Sequence, residues 1–316
     1  MPGNIAEQMQ QLYSRFGAIP GVHIELHTEL LAVRIENQVA VATIFLQGAQ
    51  LSEYTVKGQE PLIWCSESCD YTDGKPLRGG IPICWPWFGD LQHNPTDVQT
   101  MILDDTPAAH GFVRNRPWNL TKIQLIDEQR TDITLNLEVN EDKQTAAGYN
   151  CELQLVISVG ATLSLEFTVK NRGNKTVCFA SALHSYFSIS DIDSVAVNGL
   201  ENVEYIDCVD NWSEQLQNSA VVVDKEIDHI YQDSNKEITI VDQGWKRVVS
   251  ITSEGSNSTV LWNPWIEKSK RLSNFDDQDY RKMLCIETAN IRSDSVQLQP
   301  GATHLLRATF DCAPMS

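Results

Sequence analysis

The pattern of apolar and polar positions along the 316-residue chain changes period once, near its start. Ile5, Met9, Leu12 and Phe16 recur at helical spacing, and Gly17 follows as a stop signal. The spacing predicts a short helical segment within residues 1–20, closed by the break "GAIPG". From residue 21 onward the pattern alternates. In "TLSLEFTVKN" (162–171) Leu163, Leu165, Phe167 and Val169 point one way, while Thr162, Ser164, Glu166 and Thr168 point the other. One buried face and one wet face is the mark of antiparallel sheet. "VAVATIFLQGAQLSEY" (39–54), "DITLNLEVN" (132–140), "CELQLVISVG" (151–160), "EITIVDQGWKRVVSITSE" (237–254) and "SVQLQPGATHLLRATFD" (295–311) read as further strands.

Short turn signals such as "VGAT", "NRGNK" and "QPGA" separate these runs. The chain has no strand–helix alternation of the kind that builds a parallel sheet, no fixed-period repeat and no low-complexity tract. The expected class is therefore all-β. A helical segment over 1–20 precedes one large antiparallel β-sandwich over 21–316.

Charge narrows the partners. The formal net charge is -18 and the pI about 4.7. A field of that sign repels nucleic-acid phosphates and anionic lipid, so neither partner is expected. An anionic ligand would require a local cationic spot built against the global field. No apolar run is long enough to span a bilayer, and the first residues lack a basic start and an apolar stretch. A reduced, cytoplasmic compartment and a monomer are expected. The eight cysteines then read as free thiols, several of them buried in strands. Cys65 and Cys69 stand four apart, but no second close pair completes a zinc set, and no metal or cofactor is expected.

Four stretches interrupt the alternation and gather reactive residue types. They are "LRGGIPICWPWFGD" (77–90), "AAHGFVRNRPW" (108–118), "SALHSYFSISDI" (181–192), and the pair "VLWNPWIEKS" (260–269) with "MLCIETANI" (283–291). Each has a structural explanation on its own. Trp85, Trp87 and Phe88 suit a sandwich core as well as a sugar-binding platform. His184 is either a packed core histidine or a proton donor. Glu287, flanked by Leu284, Ile286 and Ala289, is costly to bury without a partner. Together they point to a site: aromatic faces for sugar rings, Arg78 and Arg114 for an anion, and an acid and a base in His184 and Glu287.

The segments "LRGGIPICWPWFG", "HGFVRNRPW", "ALHSYFSISDI", "YIDCVDN", "WNPWIEKS" and "CIETANI" resemble, in that order, the aldose 1-epimerase superfamily. Within it they are most similar to the glucose-6-phosphate 1-epimerase group. The resemblance runs from about residue 40 to the C-terminus and implies a large antiparallel β-sandwich. It implies that His184 is the general acid and Glu287 the general base of sugar ring opening, with no metal or nucleotide needed. It places Arg78 and Arg114 at the phosphate of a small sugar-phosphate substrate and His110 at the sugar. One departure from the group is Ala109, where many members carry glutamine. Asp207, in "YIDCVD", is the expected anion that raises His184. Lys268 reads equally as added positive charge or as a surface residue.

Three other readings remain open at this stage. They are a mutarotase of neutral aldoses, a non-catalytic carbohydrate-binding sandwich, and a glycosidase using Glu267 with Glu287. The last leaves the histidine without a task.

Overall fold

The computed structural model describes residues 5–104, 106–140, 148–234 and 237–315. Residues 1–4 of the predicted N-terminal segment lie outside the described residues. The helix runs Ile5–Phe16, and Leu12 and Phe16 are buried in the main core. Four antiparallel strands follow: Val22–His27, Leu30–Glu36, Ala40–Phe45 and Leu51–Val56. The run 39–54, read above as one strand, is thus a hairpin reversing over 46–50. The run 237–254 likewise folds as a hairpin of Ile238–Asp242 and Arg247–Glu254. Alternation survives such a reversal, so periodicity alone does not register it.

The body of the molecule is two eight-stranded antiparallel sheets. The back sheet runs, in spatial order, Val195–Asn198, Ile238–Asp242, Arg247–Glu254, Thr303–Pro314, Leu163–Asn171, Cys151–Val159, Thr131–Val139 and Asn119–Leu125. The front sheet runs Ser213–Leu216, Glu204–Asp207, Ile227–Gln232, Ser258–Asn263, Met283–Asn290, Ser181–Leu183 and Ile83–Cys84. Its eighth strand, Tyr186–Ser188, also pairs with Met283–Asn290.

The inward rows of both sheets merge in one core, which includes Leu165, Phe167, Leu306 and Phe310 from the back and Leu183, Phe187, Leu261 and Ile286 from the front. Phe187 meets Phe310 edge to face, with centroids 5.2 Å apart. This is a favoured aromatic geometry across the sandwich. Phe187 stands opposite Leu284 in the front sheet, so Leu284 and Ile286 share its core-facing side. Glu287 must then point the other way. Yet all eight residues of Met283–Asn290 are buried. The strand is covered twice, by the core on one face and by loops that roof a cavity on the other.

Candidate active site

The sequence "ALHSYF" is not one continuous strand. It forms two three-residue strands, with His184 and Ser185 between them, both pairing with Met283–Asn290. Leu183 stands opposite Thr288 and Tyr186 opposite Cys285. The register is continuous, so His184 falls opposite Glu287. The backbone is held on both sides: the N–H of His184 donates to the carbonyl of Pro82, and the N–H of Ile286 to that of Ser185. The imidazole Nε2 lies 3.3 Å from Oε1 of Glu287. Tyr186, two residues on and on the same face, stacks flat on the imidazole at 4.7 Å and 9°.

Neighbouring strands extend this face. Val260 is opposite Glu287, Ile230 opposite Val260, Trp262 opposite Cys285 and Asp228 opposite Trp262. These rows floor a cavity of about 600 Å³. Arg78, His110, Arg114 and Lys268 line the same cavity. Arg78 Nε donates to the carbonyl of Ser273. Arg114 Nη2 donates to the carbonyl of Ala109 at 2.8 Å, while its buried Nε has no protein partner. Lys268 is held by Glu226 at 3.0 Å and lies over the Trp262 ring.

His110 is set by its backbone. It takes a positive φ of 65°, and Gly111 follows at 72°. A Cβ at Gly111 would sit 2.0 Å from the carbonyl oxygen of Trp85, so only glycine fits there. The N–H of Gly89 donates to His110 Nδ1 at 3.3 Å. An accepting Nδ1 assigns the ring proton to Nε2. Burial, and then the positive charge of Arg114, hold this imidazole well below its ordinary pKa.

The His184–Glu287 pair is electrostatically unusual. Burial, followed by Arg114 and Arg78, pushes the His184 imidazolium pKa down to about 3. Burial, followed by the charge of Asp228, pushes the Glu287 carboxyl well above its ordinary value. His184 Nδ1 and Glu287 Oε2 are buried without protein partners. Unpaired polar atoms in a protein interior are rare and mark function more often than stability.

Several expectations are corrected here. Asp207 is not beside His184. Its carboxylate lies 3.5 Å from His229 and accepts from the N–H groups of Val209 and Asp210, and it does not line the cavity. The strand Glu204–Asp207 ends there, and the aspartate caps the turn that follows. Burial, then Arg114 and Arg78, lower His184, and Asp207 is not among the groups acting on it. Trp85 and Trp87 are buried core residues, and Phe88, Tyr186, Trp212 and Trp262 line the cavity. Glu267 is 78% exposed and paired with Lys270, which removes the glycosidase pairing.

Two features escape a linear reading. Asp228 lines the cavity, and its pKa is raised to about 6 by burial, against the opposing pull of Lys268. Its only trace in the sequence is a carboxylate in phase with Ile230 along an alternating strand. His184, Cys285 and Glu287 also offer three ligand atoms within 4.8 Å of one another, a set able to hold a metal ion. Spacing alone hides it, because strand register joins positions about a hundred residues apart.

Comparison with known proteins bears on this geometry. The family model for aldose 1-epimerase matches residues 32–310. The chain belongs to the aldose 1-epimerase family. It is therefore an isomerase by family. A relative from Cenchrus ciliaris, provisionally named glucose-6-phosphate 1-epimerase, is 30% identical over 286 residues, covering 87% of this chain and 82% of its own. A relative of the same provisional name from Escherichia coli (strain K12) is 28% identical over 83% of each chain. Among solved structures, one from Salmonella typhimurium, provisionally described as a mutarotase, superposes with a TM-score of 0.84 at 26% identity. That match covers 96% of this aldose 1-epimerase family member and 99% of the other chain. Among the described residues no helix is long and apolar enough to cross a membrane.

Proposed function

We propose that this protein interconverts the α and β anomers of a hexose 6-phosphate, with glucose 6-phosphate as the first candidate. The observation that carries the reading is the 3.3 Å approach of His184 Nε2 to Glu287 Oε1 inside a cavity also lined by Arg78 and Arg114. The provisional names of the two relatives agree with it. Glu287 takes the proton of the anomeric hydroxyl O1, and His184 gives a proton to the ring oxygen O5. The C1–O5 bond opens to the aldehyde, the C1–C2 bond rotates, and the ring closes on the other carbonyl face with the two roles exchanged.

Proton bookkeeping supports the assignment. Without substrate, burial favours the neutral forms, a carboxylic acid beside an imidazole. The reactive form, carboxylate beside imidazolium, holds the same single proton, moved across the pair. Arg78 and Arg114 oppose the imidazolium, and neither ranks among the causes acting on Glu287. A phosphate seated on the arginines cancels their field where it bears on His184. The substrate thereby shifts the pair toward its reactive form. Asp228 accepts a hydrogen bond from a sugar hydroxyl, and the Trp262 ring covers an apolar sugar face.

Saturation-transfer proton NMR between the anomeric signals of glucose 6-phosphate tests the reading. Transfer should rise in proportion to enzyme concentration. Transfer unchanged across glucose 6-phosphate, other hexose phosphates and free hexoses would return the protein to the class of carbohydrate-binding sandwiches.

A further inference from the structure

Outside the proton-transfer centre, the most chemically loaded feature is the turn 65–69, which lies against the backbone of Arg78. Cys65 Sγ and Cys69 Sγ lie 3.4 Å and 3.5 Å from one acceptor, the Arg78 carbonyl oxygen. The N–H of Arg78 in turn donates to Cys69 Sγ at 3.3 Å. The N–H of Ser66 donates to the same carbonyl, and that of Cys69 to Ser66, so the turn folds back on itself. Both thiols are free and half-buried, and Glu67, Ser68 and Asp70 around them are exposed. The neighbouring Cys65 thiol, with help from Arg78, draws the Cys69 pKa down to about 7, while Cys65 is pushed up. A low-pKa, accessible thiol beside a second thiol is the arrangement of a reactive cysteine and its resolving partner.

We infer that Cys65 and Cys69 form a reversible dithiol–disulfide pair whose oxidation displaces Arg78 and weakens capture of the phosphate end of the substrate. The inference rests on the reading of Arg78 as a phosphate ligand given above. The mechanical link is short. Gly79 sits flush on Cys65, where an added Cβ would lie 2.5 Å from the Cys65 Cα, so movement of one backbone moves the other. Joining the sulfurs removes both thiol donors from the Arg78 carbonyl and turns Cys69 Sγ away from the Arg78 N–H.

The oxidant is a low-molecular-weight disulfide, RSSR. The Cys69 thiolate attacks one of its sulfurs, forms a mixed disulfide and expels RS⁻, which takes up a proton. Cys65 then loses its proton, attacks Cys69 Sγ and expels the second RS⁻. The two protein thiols lose two electrons and two protons, and RSSR becomes two RSH.

The experiment treats the full chain with oxidised glutathione, then with dithiothreitol. Intact mass and peptide mapping should show loss of two hydrogens confined to the 65–69 fragment. The oxidised protein should lose about tenfold or more in kcat/KM for glucose 6-phosphate, as expected when a charge-assisted hydrogen bond is displaced. Turnover of free glucose should hold, and dithiothreitol should restore the loss. Cys69→Ser should abolish the response, each preparation being compared with itself before oxidation. Cys65→Ser should stop at a glutathione adduct on Cys69. Failure of the internal disulfide to form overturns the inference, as does a disulfide that leaves the phosphate-to-glucose ratio unchanged. If the reduced protein turns over no sugar, the proposed function fails instead. Mass, together with calorimetric binding of inorganic phosphate, then still decides the redox step.

Discussion

His184 and Glu287 stand opposite each other across two neighbouring strands, with Nε2 and Oε1 3.3 Å apart. The register pairs Leu183 with Thr288 and Tyr186 with Cys285 bracket them. Backbone hydrogen bonds therefore hold the spacing of the two side chains: His184, between two short strands, is tied to Pro82, and Ile286, beside Glu287, to Ser185. Val260, Trp262 and Tyr186, on the same face, are buried with the pair. Burial at fixed separation makes the two groups titrate as a unit that keeps one proton over a wide pH range.

That coupling fixes a pH dependence. His184 gains a second proton for the pair only near pH 3, and Glu287 gives up the pair's proton only well above the ordinary carboxylate range. Between those limits the pair itself should add no inflection to kcat/KM for free glucose, and the inflection expected at about 6 belongs to Asp228 and should disappear in Asp228→Asn. Glucose 6-phosphate should add one inflection near about 6, from the second ionisation of its own phosphate. Initial-rate profiles for both sugars make the check. A drop for free glucose near the ordinary imidazole value that persists in Asp228→Asn would show His184 titrating alone and would sink the shared-proton account.

Glu287→Gln should separate activity from stability. The amide keeps the shape and removes the base, so anomerisation should fall by at least about a hundredfold. The protein should be at least as stable at neutral pH, because the carboxyl is buried with one oxygen unpartnered. The sign with pH follows from the raised folded pKa. Stability that the wild type draws from the protonated carboxyl is complete below the unfolded value and is lost as pH rises toward the folded one. The glutamine does not titrate. The melting-temperature difference in favour of the variant should therefore grow from pH 5 to pH 8. A variant markedly less stable than wild type at pH 8 would assign Glu287 a structural role.

The His184, Cys285 and Glu287 ligand set makes a further test of the proton-transfer centre. A thiophilic ion bound there takes the lone pair of the acid and an oxygen of the base together. No step of the proposed reaction passes through a metal. Chelation should leave turnover intact, and added Zn²⁺ should inhibit it reversibly. Cys285→Ser should weaken that inhibition by about tenfold or more, on the scale of a lost supporting group at a metal site. Activity lost on chelation and recovered with one divalent ion would instead make the ion part of the reaction.

What was legible in the chain divides along physical lines. Alternation such as Leu163, Leu165 and Phe167 reports burial on one side of a sheet, and those residues do lie in the core between the two sheets. The ordered motifs carried the resemblance from about residue 40 onward, and the family model matches residues 32–310. Tertiary neighbours were less accessible. Asp207 and Asp228 are both carboxylates in short polar–apolar strands. Only the pairing of Ile230 with Val260 shows that Asp228 shares the cavity face, while Asp207 turns to His229. Trp85 and Trp87, conspicuous in the sequence, point into the core, and Trp262 lines the cavity instead. The direction of the His184 shift depends on burial and on two arginines distant in sequence, neither of which periodicity records.

The arginines give the sharpest test of substrate class. A protein of net charge -18 repels a sugar phosphate at long range, so capture depends on short-range, charge-assisted hydrogen bonds. Arg78 and Arg114 line the cavity with different ties. Arg78 spends its Nε on the carbonyl of Ser273, whereas Arg114 is anchored through Nη2 and leaves a buried Nε unpartnered. Arg78→Ala and Arg114→Ala should each lower kcat/KM for glucose 6-phosphate by about ten- to a hundredfold, the scale of one hydrogen bond to a charged group. Free glucose should lose far less. Removing either arginine also removes a charge that opposes the imidazolium, so the variants should, if anything, help a neutral sugar at the proton-transfer step. Lysine at either position should restore part of the loss, keeping the charge but not the planar fork. The measurement is the ratio of kcat/KM for the phosphorylated over the free sugar in wild type, both alanine variants and both lysine variants. A ratio that stays constant across the series would mean that the arginines do not read the phosphate, and the cavity would then be better assigned to neutral aldoses.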